Sequence, residues 1–277
     1  MKKILLALVS IVTSLVLPGC LQSEVTIHLN NDGSGTLVEE TRLGAQMQAM
    51  LEQMSGMGGG DNAKANPLQQ MFSEAKAKTR ATELGAGVTL AKFETVDVNG
   101  AKGARVTYNF QDINKLHIAA GDSMKNISPM GAMPRPPAKP EGALRFAYAA
   151  GNLSIKMPDP GAAAKSAGPE VASAKNADMP EMDTPETQAM MKKMLGDMKM
   201  SLKLVVDSGI AATTATYQDG NTITLMEMEM GKMLEVPETF KKLGKLDKNN
   251  PAAAMAVFKN IKGFKVETQQ EVTVNLK

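Results

Sequence analysis

Apolar and polar residues alternate with period two in many short runs of this chain, and glycine-bearing turns separate the runs. Such alternation marks half-buried strands, and turns this tight restrict most of them to hairpins. Val25, Ile27 and Leu29 form the first run, and Asn31-Asp32-Gly33-Ser34-Gly35 turns it into Thr36–Arg42. Val88–Val98 and Ala104–Phe110 flank Asn99-Gly100, with Val106, Tyr108 and Phe110 on one face. Leu144–Tyr148 and Leu153–Met157 flank Gly151-Asn152. Leu202, Leu204 and Val206 lead through Ser208-Gly209 into Ile210–Tyr217, and Asp219-Gly220-Asn221 turns into Thr222–Met230. At the end of the chain Val266, Thr268, Gln270, Val272, Val274 and Leu276 alternate with Glu267, Gln269, Glu271, Thr273 and Asn275, which predicts one long strand. Hairpin connections make neighbours antiparallel, so the sheet is expected to be mainly antiparallel.

Helices interrupt the strands. Ala45–Met57 reads as one, and Pro67–Leu84 as a second with Asn66 as cap and Pro67 in the first position. Thr184-Pro185-Glu186 opens a third that reaches about Lys199, and Pro251–Ile261 is a fourth. Gly58–Ala65 is glycine-rich, Ser128–Gly142 carries five prolines, and Pro158–Asp183 is rich in Ala, Pro, Lys and Ser. These stretches hold too few large apolar groups to offset the entropy of ordering and read as loops, the last two as disordered Pro/Ala-rich linkers. The expected fold is therefore α+β, a twisted antiparallel sheet or two related halves covered by Met- and Ala-rich helices. Residues 20–157 form a first region, 158–183 a linker and 184–277 a second region that packs alone or with the first.

The amino terminus sets the compartment. Lys2 and Lys3 precede an apolar run from Ile4 to Val16, too short for a membrane span but right for the core of a signal peptide. Leu17-Pro18-Gly19-Cys20 follows, with the only cysteine of the chain. This tetrapeptide resembles the lipobox of bacterial lipoproteins. The resemblance implies removal of residues 1–19, a diacylglyceryl thioether on Cys20, and N-acylation of the new terminus. Two or more acyl chains anchor stably where one binds only marginally. Leu21 after the cysteine, in place of Asp, implies the outer membrane by the sorting rule of enterobacterial lipoproteins.

Composition adds exclusions. The whole chain carries a formal charge of +2, and the signal peptide takes away Lys2 and Lys3 but no acid, so the mature charge is zero. Neutrality removes the electrostatic case for nucleic acid or another polyanion. With Cys20 acylated no disulfide can form, so the fold depends on packing. Aromatics make up 4% and tryptophan is absent, whereas methionine reaches 22 residues, which predicts an adaptable core.

Methionine also supplies the candidate site. Met47, Met50, Met54 and Met57 recur at helical spacing, as do Met190, Met191, Met194 and Met198, each set predicting one methionine-rich helix face. Met226, Met228 and Met230 share a strand face opposite Glu227 and Glu229. Soft thioethers can hold copper(I), or they can line a surface for an apolar ligand or partner. No nucleophile elbow, paired-cysteine motif, zinc-protease motif or phosphate loop is present, so catalysis and cofactors are not expected. Asp32-Gly33-Ser34-Gly35 lacks the second acidic cluster of a calcium loop and reads as a turn. His28 falls on the polar face of its strand and reads as solvated, and Glu39-Glu40 and Glu227/Glu229 read as edge protection.

Two similarities complete the reading. Asn31–Leu37 running on to Met47 echoes Gln218–Thr224 running on to Met233, each a hairpin ending in a Gly before a helix and a long strand. This is either a duplicated unit or chance agreement around D-G turns. Cys20, a few polar residues, and a strand turning at Asp32-Gly33-Ser34-Gly35 into Thr36-Leu37-Val38 resemble the mycobacterial LppM-type lipoproteins. That resemblance implies a β-rich fold and apolar-ligand binding, and it carries over no functional residue. The expected function is a membrane-anchored, non-enzymatic envelope module for a partner protein or apolar ligand. The alternative is a periplasmic copper(I)-binding protein.

Overall fold

A computed structural model describes residues 21–57, 67–119, 143–158, 189, 192, 195–236 and 261–277. The expected helices after Thr184 and over Pro251–Ile261 fall almost wholly outside these residues, as do the three loop stretches and Cys20.

The elements run β1 (Leu21–Leu29), β2 (Gly35–Leu43), α1 (Ala45–Met57), α2 (Pro67–Met71), α3 (Glu74–Leu84), β3 (Thr89–Val98), β4 (Ala101–Phe110) and a 3-10 turn (Ile113–Lys115). They continue with β5 (Ile118–Ala119), β6 (Ala143–Ala149), β7 (Asn152–Lys156), β8 (Lys199–Val206), β9 (Ile210–Thr213), β10 (Gln218–Asp219), β11 (Thr222–Glu229), α4 (Met230–Leu234), β12 (Phe264–Val266) and β13 (Glu271–Leu276). The fold is α+β and mostly antiparallel, as the alternation predicts. A large sheet has the order β10-β11-β8-β1-β2-β4-β3, with β12 also paired to β11. A five-stranded sheet has the order β5-β6-β7-β13-β9.

The two sheets share one apolar core. Val25, Ile27 and Leu29 of β1, Leu204 and Val206 of β8, and Ile223 of β11 meet Phe146, Ile155, Val272 and Val274 of the smaller sheet. Fully burying a side chain of this size contributes about 1.5–3 kcal/mol, so the interlocked faces hold the chain without a disulfide. Both sheets mix early and late strands, because β1 pairs with β8 and β7 with β13.

The first hairpin turn forms as the sequence predicts. Asp32 accepts from the N–H and hydroxyl of Ser34, and Gly33 takes φ +83°, closing the β1–β2 hairpin. Five expectations are corrected. First, the mainly antiparallel sheet holds one parallel pair: β1 and β8, separated in the chain by residues 30 to 198, are not joined by a hairpin. Second, Ser208-Gly209 is a corner, not a hairpin: β8 belongs to the large sheet and β9 to the small one. Third, the final alternating run breaks into β12 and β13, which lie in different sheets. Fourth, Pro67–Leu84 is two helices, because Ser73 accepts from the Lys76 N–H at 3.4 Å and caps α3 anew. Fifth, β2 and β11 are interior strands, so their glutamates protect no edge. Glu40 lies on Arg42 and Arg105, and Glu227 on Lys265 at 2.8 Å.

The duplicated unit finds no support in the topology. The β1–β2 hairpin pairs nine residues, whereas β10 and β11 pair two. Beyond the helices, β3 forms one edge of the large sheet, but the run from Phe264 divides between two sheets. The similarity is agreement between D-G turns.

Candidate functional site

The inward face of β1 carries Leu21, Ser23, Val25, Ile27 and Leu29, all buried. Across from it on β2 stand Leu43, Thr41, Glu39 and Leu37 in register. Ser23, Thr41 and Glu39 thus place a polar belt across an otherwise apolar face. Arg80 of α3 reaches into the belt, its guanidinium donating to Glu39 Oε1 at 3.1 Å with both side chains largely shielded from water. The belt divides the apolar interior. Below it lies the main core; above it, at the end where β1 begins, is a second cluster built on Leu21, Leu43 and Leu51.

Met47, Leu68, Met71, Phe72 and Met198 pack half-buried around those three leucines. Helix α1 is fixed over them by Gln48, whose buried side chain donates to Leu43 O at 2.7 Å and to Gly100 O at 2.8 Å. Those two carbonyls lie at the end of β2 and in the β3–β4 turn, so one amide pins the helix across the rim of the sheet. The second cluster is therefore methionine-rich, adaptable in shape and only partly covered, and it starts one residue after Cys20.

The candidate methionines do not act as one face. Residues three apart on a helix differ by about 60° in direction. The inward sector of α1 is set by Met47, Gln48 and Leu51, and Met50 falls outside it at 49% exposure. Met54 and Met57 lie in α1, but their side chains are outside the described residues. Met190, Met191 and Met194 are likewise outside, whereas Met198 joins the cluster beside Met47. Met226 and Met228 stay on β11, where Met226 packs against the main core, and Met230 begins α4. Sequence reasoning did not mark Leu68, Met71 or Phe72. The helix break at Ser73 is the one local signal beside Phe72, which packs on the cluster.

Elsewhere the chemistry is structural. Glu267 is 2% exposed, and its carboxylate accepts from Thr216 N–H at 2.7 Å, Thr216 Oγ1 at 2.9 Å, Thr268 N–H at 2.8 Å and Gln269 N–H at 3.0 Å. Burial pushes this carboxyl up, yet those four donors outweigh it and hold it below the usual carboxylate range. The outer face of the large sheet is a ladder of opposite charges. Glu24 meets Lys203 at 2.9 Å, Lys92 meets Glu94 at 2.9 Å, and Glu229 meets Lys199 at 3.3 Å. Matched pairs of this kind leave little field to attract an ion. His28 sits half-exposed on this face, its Nδ1 3.3 Å from Asp207 Oδ1. A shallow depression of about 420 Å³ lies beside Asn114, Tyr148, Ser154 and Thr273 and presents no charged group. Among the described residues no group of three His, Cys, Asp or Glu side chains is placed to hold a metal ion.

No protein-family model matches the chain, and no curated protein does. Among solved structures, the folded domain of LppM from Mycobacterium tuberculosis, determined by NMR, is similar at a TM-score of 0.29. The two are 10% identical, and the match covers 77% of this chain and 85% of that one. At that score the likeness transfers no site, ligand or partner.

Proposed function

We propose that this chain is a lipid-anchored module of the cell envelope, non-enzymatic, that binds an apolar ligand or the apolar face of a partner protein. One observation carries the reading: the methionine-rich cluster around Leu21 lies outside the main core, at the chain end that follows directly on Cys20. A side chain contributes its full transfer energy only when fully enclosed, since the gain scales with the area removed from water. Met47, Met71, Phe72 and Met198 are left half-covered instead, in a part of the fold where thioethers can repack around a guest. The lipobox supplies the anchor, and the outer-membrane assignment follows from Leu21.

The test has two arms. Cell fractionation compares the native chain with Cys20→Ala, and organic extraction of the purified native protein is followed by lipid and metal analysis. The reading expects Cys20→Ala to leave the membrane fraction and the extract to contain an apolar molecule beyond the anchor itself. Stoichiometric copper with no apolar molecule would replace this reading with thioether metal binding.

A further inference from the structure

Three large apolar side chains are exposed among the described residues: Met50 at 49%, Val98 at 43% and Val236 at 38%. They come from three distant parts of the sequence, yet all lie at one end of the molecule. Leu21 is opposite Leu43, Leu43 opposite Lys102, and Lys102 opposite Asp97, so Val98 stands just beyond the row that contains the first residue of β1. Met50 rides on α1, which Gln48 ties to Leu43 and Gly100 in that same rim. On the other flank Gln22 is opposite Lys199 and Lys199 opposite Glu229, the residue before α4, and Val236 follows that helix. The opposite end of the large sheet carries the polar turns at Asp32 and Asp219, roughly 25 Å away at about 3.3 Å per strand residue.

We propose that this end is seated on the bilayer, with Met50, Val98 and Val236 entering the interface and the strands of the large sheet standing away from the membrane. The inference rests on acylation of Cys20. Leu21 is already strand and buried, so no spacer separates the anchor from the fold, and the acyl chains leave the protein at this rim. Scattered exposed apolar residues need no explanation, but three spread along the one rim that carries the anchoring point do. Seating is apolar and not electrostatic. Among the described residues Lys199 and Lys232 both lie on Glu229, and Lys262 lies on Glu235 at 2.7 Å, so these three lysines of the rim are matched by acids.

The acylated full-length chain tests this with Met50→Cys, Val98→Cys and Val236→Cys, and with Asp219→Cys at the far end as control. The thioether blocks Cys20, so each variant takes one environment-sensitive fluorophore. Each is reconstituted into phosphatidylcholine vesicles with or without a nitroxide on the acyl chains, and circular dichroism checks the fold. Labels at 50, 98 and 236 are expected to shift to the blue and be quenched by the nitroxide, while the label at 219 does neither. Protein that floats with the vesicles but shows four water-exposed labels is tethered without being seated, which overturns the inference and spares the anchor. Quenching at 219, or quenching at the rim that appears only when anionic lipid is added, also overturns it. Protein that carries no acyl chain and does not float overturns the anchoring reading together with the seating.

Discussion

The Glu267 carboxylate is bonded by both the backbone N–H and the hydroxyl of Thr216, at 2.7 and 2.9 Å, across the corner where the chain leaves one sheet for the other. Thr216 stands between β9 and β10 and Glu267 between β12 and β13, so this one contact ties together both crossings on that side. Glu267→Gln loses acceptor capacity and leaves buried donors unpaired, at about 1–3 kcal/mol. Chemical denaturation should show that loss as a lower midpoint with an unchanged slope.

The pH dependence of the same group has a definite sign. The folded carboxyl titrates below its unfolded value, so its contribution is fully present above about pH 4.3 and fades as pH falls through the folded value. The stability gap between the native chain and Glu267→Gln should therefore narrow as the pH is lowered from about 5 toward 3. Equilibrium unfolding across that range measures it, and a gap that widens on acidification would contradict the assignment.

Arg80 and Glu39 provide a comparison between shielded and open ion pairs. Their side chains are 11% and 15% exposed, whereas Lys203 and Glu24 are 24% and 48% exposed. Glu39→Gln takes the shielded charge away from the guanidinium, which keeps Glu83 at 3.4 Å, and should cost about 1.5–3 kcal/mol, while Glu24→Gln should cost under about 1 kcal/mol. Raising the salt concentration should weaken the open pair and leave the shielded one nearly unchanged. Thermal unfolding of the two variants at low and high ionic strength checks the order.

Period-two patterning shows a strand and its buried face, and it located Ile27, Leu37, Tyr108, Phe110, Val272 and Val274 correctly. It carries no information about which sheet a strand joins. The run from Val266 to Leu276 therefore looks continuous although Glu267 turns inward and redirects it. The parallel pairing of β1 with β8 is invisible for the same reason, because only long-range burial decides it. At the site, methionine spacing pointed to α1 and to Met198. The boundary between Met47 and Met50 depends instead on Gln48, whose polar side chain belongs by pattern on the solvent side and is buried to hold a helix end.

Tyr148 closes over the first hairpin. Its ring lies against Gly33, where an added Cβ would stand 2.7 Å from the ring, and its hydroxyl donates to Asn31 O and accepts from Gly151 N–H at 3.2 Å. Gly33 also has φ +83°, which an L side chain adopts only at a cost of about 1–2 kcal/mol. Gly33→Ala should thus be destabilising through both strain and collision. In a Tyr148→Ala background only the strain remains, so a double-mutant cycle should give a coupling of at least about 0.5 kcal/mol.

The second cluster should separate stability from binding. Leu43 is fully buried and Leu43→Ala should cost about 2–5 kcal/mol. Met47→Leu conserves volume and should cost less than about 1.5 kcal/mol while stiffening the half-covered wall. Paired measurements of unfolding free energy and of binding to a fluorescent fatty acid should show Leu43→Ala losing stability and Met47→Leu losing chiefly binding.

The central claim is that this fold is held at a membrane through Cys20 with no intervening spacer. Intact-mass spectrometry of the protein purified from its native membranes tests it most directly. The account predicts a chain that begins at Cys20 and carries the added mass of a diacylglyceryl group, with or without a third acyl chain. A chain that begins elsewhere, or that retains a free thiol at Cys20, would contradict it.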